Sequence, residues 1–334
     1  MNKLVEEVNM ALVINSPFEL KPRKDRNRSY VTEGEFMSSE VSELIRSYKH
    51  WTYDMTDKNT QTSTQLHFFE SIPRFKDHKF LAGFVSKLYT VFDRVFHRKL
   101  SDVHIVFANV PIKKTFPKRH CVFQPIHINS GYSIIYHNTD TKPLVVVYRK
   151  DEMCKVLIHE LFHLYRMHPF ETNKSFDKVL TEEFRICNKS AGLNIYEGYV
   201  EFMTTIVNMC MHKHLFRNIT VSIDSEINHS RENVERLFRF TSGNGYLKQN
   251  TNVFSYIVIK HVLLVNRSKV FSILKNDYSV TSTKFEKLIH KGLKTLYNKY
   301  AHIKYQSCRR HVTLNLYDIF KIYLKNSTHR DITI

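Results

Sequence analysis

Two histidines four residues apart, with a glutamate after the first, form the pentapeptide His159-Glu160-Leu161-Phe162-His163. On a helix, positions i and i+4 lie on one face about one turn apart, so the two imidazoles can share a single cation. Zinc suits imidazole nitrogen, and a catalytic zinc site adds a third protein ligand while keeping a position for water. Glu160, beside the first histidine, is placed to take a proton from that water and return it to a leaving amine. The spacing therefore encodes hydrolytic metal chemistry.

In a chain with 19 histidines the pentapeptide alone carries little weight, and its surroundings decide the matter. Val156, Leu157, Ile158, Leu161, Phe162 and Leu164 spread around the helix circumference, which predicts a buried helix. Two histidines and a carboxylate buried there need partners, and a hydrated metal would satisfy all three. The third ligand is expected downstream, in Asn194-Ile195-Tyr196-Glu197-Gly198-Tyr199-Val200-Glu201-Phe202. Glu197 is the chosen ligand. Glu201 shares its helix face, either holding a ligand histidine from behind or facing solvent. The bland alternative is an exposed acidic stripe, but the neighbouring Ile195, Tyr199, Val200, Phe202, Met203, Ile206 and Val207 are apolar. Glu182 and Glu183 are the reserve candidates.

The run His-Glu-Leu-Phe-His, followed on a later helix by Glu-Gly-Tyr-Val-Glu-Phe, resembles the gluzincin metallopeptidases. In that group the His-Glu-x-x-His motif is completed by a downstream glutamate. Ile128-Asn129-Ser130-Gly131, with Tyr148-Arg149-Lys150-Asp151-Glu152 leading into the motif, is also similar to metallopeptidases encoded by large DNA viruses. The likeness covers roughly residues 100–207. It implies an α+β, zincin-like fold, bound Zn2+, peptide-bond hydrolysis, and a polypeptide substrate paired with a sheet-edge strand, here the one near Tyr132. It further implies a side chain that stabilises the oxyanion of the tetrahedral intermediate. Tyr256 is ranked first for that role, ahead of Lys260, His229, Tyr199 and His261.

The elements that must position these residues follow from periodicity. Residues 1–38 read as a basic, flexible arm containing Lys21-Pro22-Arg23-Lys24-Asp25-Arg26-Asn27-Arg28. From Ser39 the pattern turns helical, through Val41, Leu44, Ile45 and Tyr48. A stronger helix is expected from about Asp77 to Leu100, carrying Phe80, Leu81, Phe84, Leu88, Val91, Phe92 and Phe96. Strands are expected at Val103–Val110, Tyr132–Tyr136 and Leu144–Tyr148, in one small, twisted, mixed sheet. Asn129-Ser130-Gly131 should turn into the second strand, and Asn138 to Pro143 should form the loop leading out of it. The helix bearing the motif comes next. From Glu171 onward the chain reads as almost wholly helical: Asn194–His212, Ile223–Arg239, Asn252–Val265, and pieces over Lys284–Tyr300 and Leu316–Leu324. The expected division is an arm over 1–38, a helix and sheet unit over 39–169, and a helical unit over 170–334 that carries the third ligand.

With 334 residues, 42% of them hydrophobic, the chain can build a substantial core. Its most apolar stretch, Phe254 to Val265, is short and contains Lys260 and His261, so no membrane insertion is expected. Met1 to Val13 carries Glu6 and Glu7 and lacks the centre of a signal peptide; the expected location is intracellular, cytoplasmic or nuclear, in a host cell or a virion. Five scattered cysteines suggest neither disulfides nor a thiolate metal site. The formal charge of +18 favours acidic polypeptide segments or nucleic acid as partners. Two rival readings remain: a zinc-binding structural or interaction protein without turnover, and a basic nucleic-acid-binding protein, although no zinc-finger spacing or RNA-binding fingerprint is present.

Overall fold

A computed structural model describes residues 1–24, 37–72, 74–99, 102–118, 121–135, 142–168, 173–188, 193–217, 220–241, 246–280, 282–300, 314 and 319–326. The chain opens with α1 (Asn2–Val13) and β1 (Phe18–Arg23), then α2 (Ser39–Ser47), β2 (Lys49–Asp57) and β3 (Ser63–Glu70). Next come α3 (Phe75–Phe96), β4 (Val103–Val110), the short α4 (Pro125–Ile128), β5 (Gly131–Ile134) and β6 (Leu144–Arg149). A 3-10 turn at Lys150–Glu152 leads into α5 (Met153–Leu164). Beyond it lie α6 (Lys174–Glu183), β7 (Ile186–Asn188), α7 (Tyr196–Leu215), α8 (Ile223–Thr241) and β8 (Leu247–Gln249). A π-helical segment, Ser255–Ile259, runs directly into α9 (Lys260–Val265), followed by α10 (Arg267–Ile273), α11 (Ser282–Tyr300) and α12 (Ile319–Asn326).

Among the described residues the principal sheet has six strands in the order β1-β2-β3-β4-β6-β5, so the fold is mixed α+β. β1, β2 and β3 pair antiparallel, β3, β4 and β6 pair parallel, and β5 closes the far edge antiparallel to β6. Side chains alternate between the faces with period two. On one face Tyr53, Met55, Leu66, Phe68, Ile105, Phe107, Val145 and Val147 join the main core with α3, α5 and α7. On the other, Phe69, Val106, Ala108, Val146 and Tyr148 pack with Val41 and Ile45 of α2. The aliphatic run Leu144-Val145-Val146-Val147 is buried on both faces, as expected for an inner strand carrying parallel pairing.

Several sequence expectations need correction. The arm expected over residues 1–38 is, up to Arg23, a helix and an edge strand. Leu4, Val8, Ala11 and Leu12 recur at helical spacing and are buried in the core. Of the basic run, Lys21 to Arg23 lie in β1, while residues 25–36 fall outside the described residues. The sheet is larger than the three expected strands, since β1, β2 and β3 add a second half. The part after Glu171 also contains α6 and the parallel pair β7 and β8. The boundary expected at Pro169-Phe170 and most of the loop expected over 138–143 lie outside the described residues, and one apolar cluster includes residues from both sides of that boundary.

Candidate metal centre

The helix α5 begins one short turn after β6 ends, so the sheet delivers the motif into the core. Its apolar residues Val156, Leu157, Ile158, Leu161 and Phe162 are buried around the whole circumference. Phe162 sits edge-on to Phe92 and Phe96 of α3. The helix stops in a left-handed turn. Arg166 has φ 53°, its N–H bonds to His163 O at 2.9 Å, and Met167 N–H reaches Phe162 O at 3.3 Å. These two bonds form a Schellman motif, satisfying carbonyls at the helix end.

On this helix His159 and His163 meet Glu197 from the first turn of α7. His159 Nε2 and His163 Nε2 are 3.0 Å apart. Glu197 Oε2 lies 3.4 Å from the first and 3.2 Å from the second. Among the described residues these three form the group of side chains able to hold a metal ion. The separations themselves test the fit. Tetrahedral zinc with bonds of about 2.0–2.1 Å places its ligand atoms about 3.3–3.4 Å apart, close to all three distances. The donor set, two imidazole nitrogens and one carboxylate oxygen, also suits zinc. Glu197 Oε2 is buried and makes no well-formed hydrogen bond, although it faces both rings. A cation would satisfy it.

The two carboxylates at the centre are pushed in opposite directions. Burial raises the pKa of Glu160, and Glu197 adds to the rise, while His159, His163 and Ser133 oppose it. Burial also opposes ionisation of Glu197, but His163 and His159 outweigh it and hold the group well below the usual carboxylate range. Two carboxylates with divergent proton affinities can divide the work, one as a permanent anion and one as a proton carrier. Glu160 lines a cleft of about 340 Å³ with His159, His163, Glu197, Tyr256 and the strand residues Gly131, Tyr132 and Ser133. That strand, β5, is the edge of the sheet. Gly131 permits its close approach, because a Cβ there would meet Val146 O and Val156 Cγ1 at 2.6 Å.

Tyr256 faces the centre from the π-helical segment. Its ring stands edge-on to His159, with centroids 5.8 Å apart, and it lines the same cleft as Glu197. Burial, then Glu197, Glu160 and Glu201, raise its pKa well above the usual range, so the hydroxyl remains a donor. A π-turn commonly marks a functional site, since it re-aims the side chains of one turn. Gly198 lets α7 lie against this segment; a Cβ there would come within 2.5 Å of Ile259 Cγ2.

Behind His159 lies a buried charged group. Glu201 pairs with Lys155, and its Oε1 is 3.7 Å from His159 Nδ1. Burial opposes ionisation of Glu201, yet Lys155, His159, Lys260 and Lys114 bring its pKa to about 2. The glutamate expected as either support or solvent-facing residue is therefore internal.

The other oxyanion candidates lie elsewhere. Tyr199 donates to Tyr278 O in the core, His261 bonds Ser230 Oγ at 2.6 Å, and His229 contacts Asn233. Lys260 donates to Leu314 O at 2.6 Å, beside Glu226. Glu182 and Glu183 are exposed and pair with Lys178 and His290, away from the cleft. Sequence reasoning missed His168, whose Nε2 is 2.9 Å from His163 Nδ1, and Ser133, which hydrogen-bonds Glu160. His168 stands five residues beyond the motif, off its helical register, and only the Schellman turn returns it. No helix among the described residues is long and apolar enough to cross a membrane. No protein-family model, curated protein or solved structure matches this chain.

Proposed function

We propose that this chain is a zinc-dependent metallopeptidase, with His159, His163 and Glu197 as metal ligands and Glu160 as general base. The observation that carries the reading is the convergence of three ligand atoms at 3.0–3.4 Å beside a buried carboxylate of raised pKa. A bound zinc ion supplies Lewis acidity, which lowers the proton affinity of water and polarises a carbonyl oxygen. The chain's own residues do the rest. Glu160 holds the proton taken from water and passes it to the leaving amine, with Ser133 fixing its orientation. Tyr256, kept protonated by burial, offers its hydroxyl to the oxyanion. The outer edge of β5 offers backbone groups to an extended polypeptide, which supports a polypeptide substrate. The formal charge of +18 favours acidic segments by long-range attraction.

Glu160→Gln tests this reading. The zinc-loaded variant should retain its metal and lose cleavage of an unfolded polypeptide by about 10²–10⁴-fold or more. Wild-type cleavage by the variant, or no cleavage by the zinc-loaded wild type, would contradict it.

A further inference from the structure

The turn that ends α5 does more than cap a helix. Arg166 takes the left-handed conformation, which side chains other than glycine's seldom adopt. The chain thereby folds back and sets His168 beside the histidine five positions earlier. His168 is 6% exposed, and its ring stacks on Tyr196, with centroids 5.9 Å apart and planes 16° from parallel. Tyr196 in turn stacks on Phe285 of α11 at 5.6 Å and 14°. Three rings from three parts of the chain thus fix where His168 Nε2 points. Tyr196 directly precedes Glu197, so the stack also ties the end of one ligand-bearing helix to the start of the other.

A neutral imidazole has one N–H and one bare nitrogen. For His163 to present bare Nε2 toward His159 and Glu197, its Nδ1 must carry the proton, and that buried proton needs an acceptor. His168 Nε2 stands there at 2.9 Å, whereas the carboxylate behind His159 Nδ1 is at 3.7 Å. We propose that His168 is a positioning residue, accepting the Nδ1–H of His163 and so holding that ring in the tautomer and orientation that face the metal position. The inference rests on the metal-centre reading above.

Two substitutions separate this role from simple packing. His168→Phe keeps a flat ring on Tyr196 and removes the acceptor; His168→Gln loses the ring and keeps an acceptor oxygen at similar reach. The readout is the zinc dissociation constant of the full chain, measured by competition with a chromophoric chelator, with thermal melts as the check on folding. His168→Phe should bind zinc about 10–100-fold more weakly, and His168→Gln should stay within about threefold of wild type. Wild-type affinity in His168→Phe, or equal loss in both variants, would overturn the proposal. His163→Ala is the control: if it too kept wild-type affinity, the metal-centre reading itself would fail, a result distinct from failure of the His168 assignment alone.

Discussion

At the cleft, His159 Nε2, His163 Nε2 and Glu197 Oε2 face one another around a common point, all within 4.8 Å. Across the sheet, three other histidines run diagonally over neighbouring strands and are joined pair by pair. His50 Nε2 meets His67 Nδ1 at 3.2 Å, and His67 Nε2 meets His104 Nδ1 at 3.1 Å. Their rings stack at 5.4 Å. In this ladder each contact uses a different nitrogen of His67, so that imidazole bridges its two neighbours. In the cleft a carboxylate completes the group, and the nitrogens aim at the same place. Histidine content and burial are similar in both regions. Convergence, with a negative third partner, separates a group able to hold a metal ion from a hydrogen-bonded stripe.

The largest effect is expected from damage behind the cleft. Lys155→Met leaves Glu201 ionised and buried without its main partner, and should cost about 3–5 kcal/mol in chemical denaturation. A loss below about 1 kcal/mol would mean that the charge pair does not support the cleft. Next in size is His67→Leu in the ladder. It removes two hydrogen bonds and should cost about 1–3 kcal/mol, with zinc stoichiometry unchanged. Loss of metal from that variant would erase the distinction between the two regions.

The smallest effect at neutral pH belongs to a histidine of neither group. Burial, helped by Lys299, Arg231 and Lys260, lowers the His261 pKa to about 4. Below pH of about 6.5 the unfolded chain takes up a proton that the folded chain refuses until about pH 4, so stability falls with falling pH across that window. Stability curves of His261→Gln should be flatter between those limits and should match wild type in slope above pH 7. An unchanged acid slope would contradict the assignment.

The meeting of His159, His163 and Glu197 was legible in the sequence because the two histidines stand at fixed helical spacing. The motif sits on one uninterrupted apolar helix, and Glu197 stands out among apolar neighbours. Strands β4 and β6 were legible as β-branched runs buried on both faces. β2 and β3 were not, because His50, Asp54, Gln65 and His67 break the apolar pattern; alternation of Trp51, Tyr53 and Met55 was the remaining signal. α1 hid behind Glu6 and Glu7, although Leu4, Val8, Ala11 and Leu12 keep helical spacing. Tyr256 was one aromatic among many, and its place opposite Glu197 depends on a π-turn with no plain sequence mark. His168 depends on a left-handed Arg166, a conformation that the residue type argues against.

Metal analysis of the purified full chain beside His163→Ala and Glu197→Ala tests the central claim most directly. The account predicts one zinc per wild-type chain and loss of tight zinc binding in both variants, each still folded by circular dichroism. Full zinc retention by folded His163→Ala would contradict it.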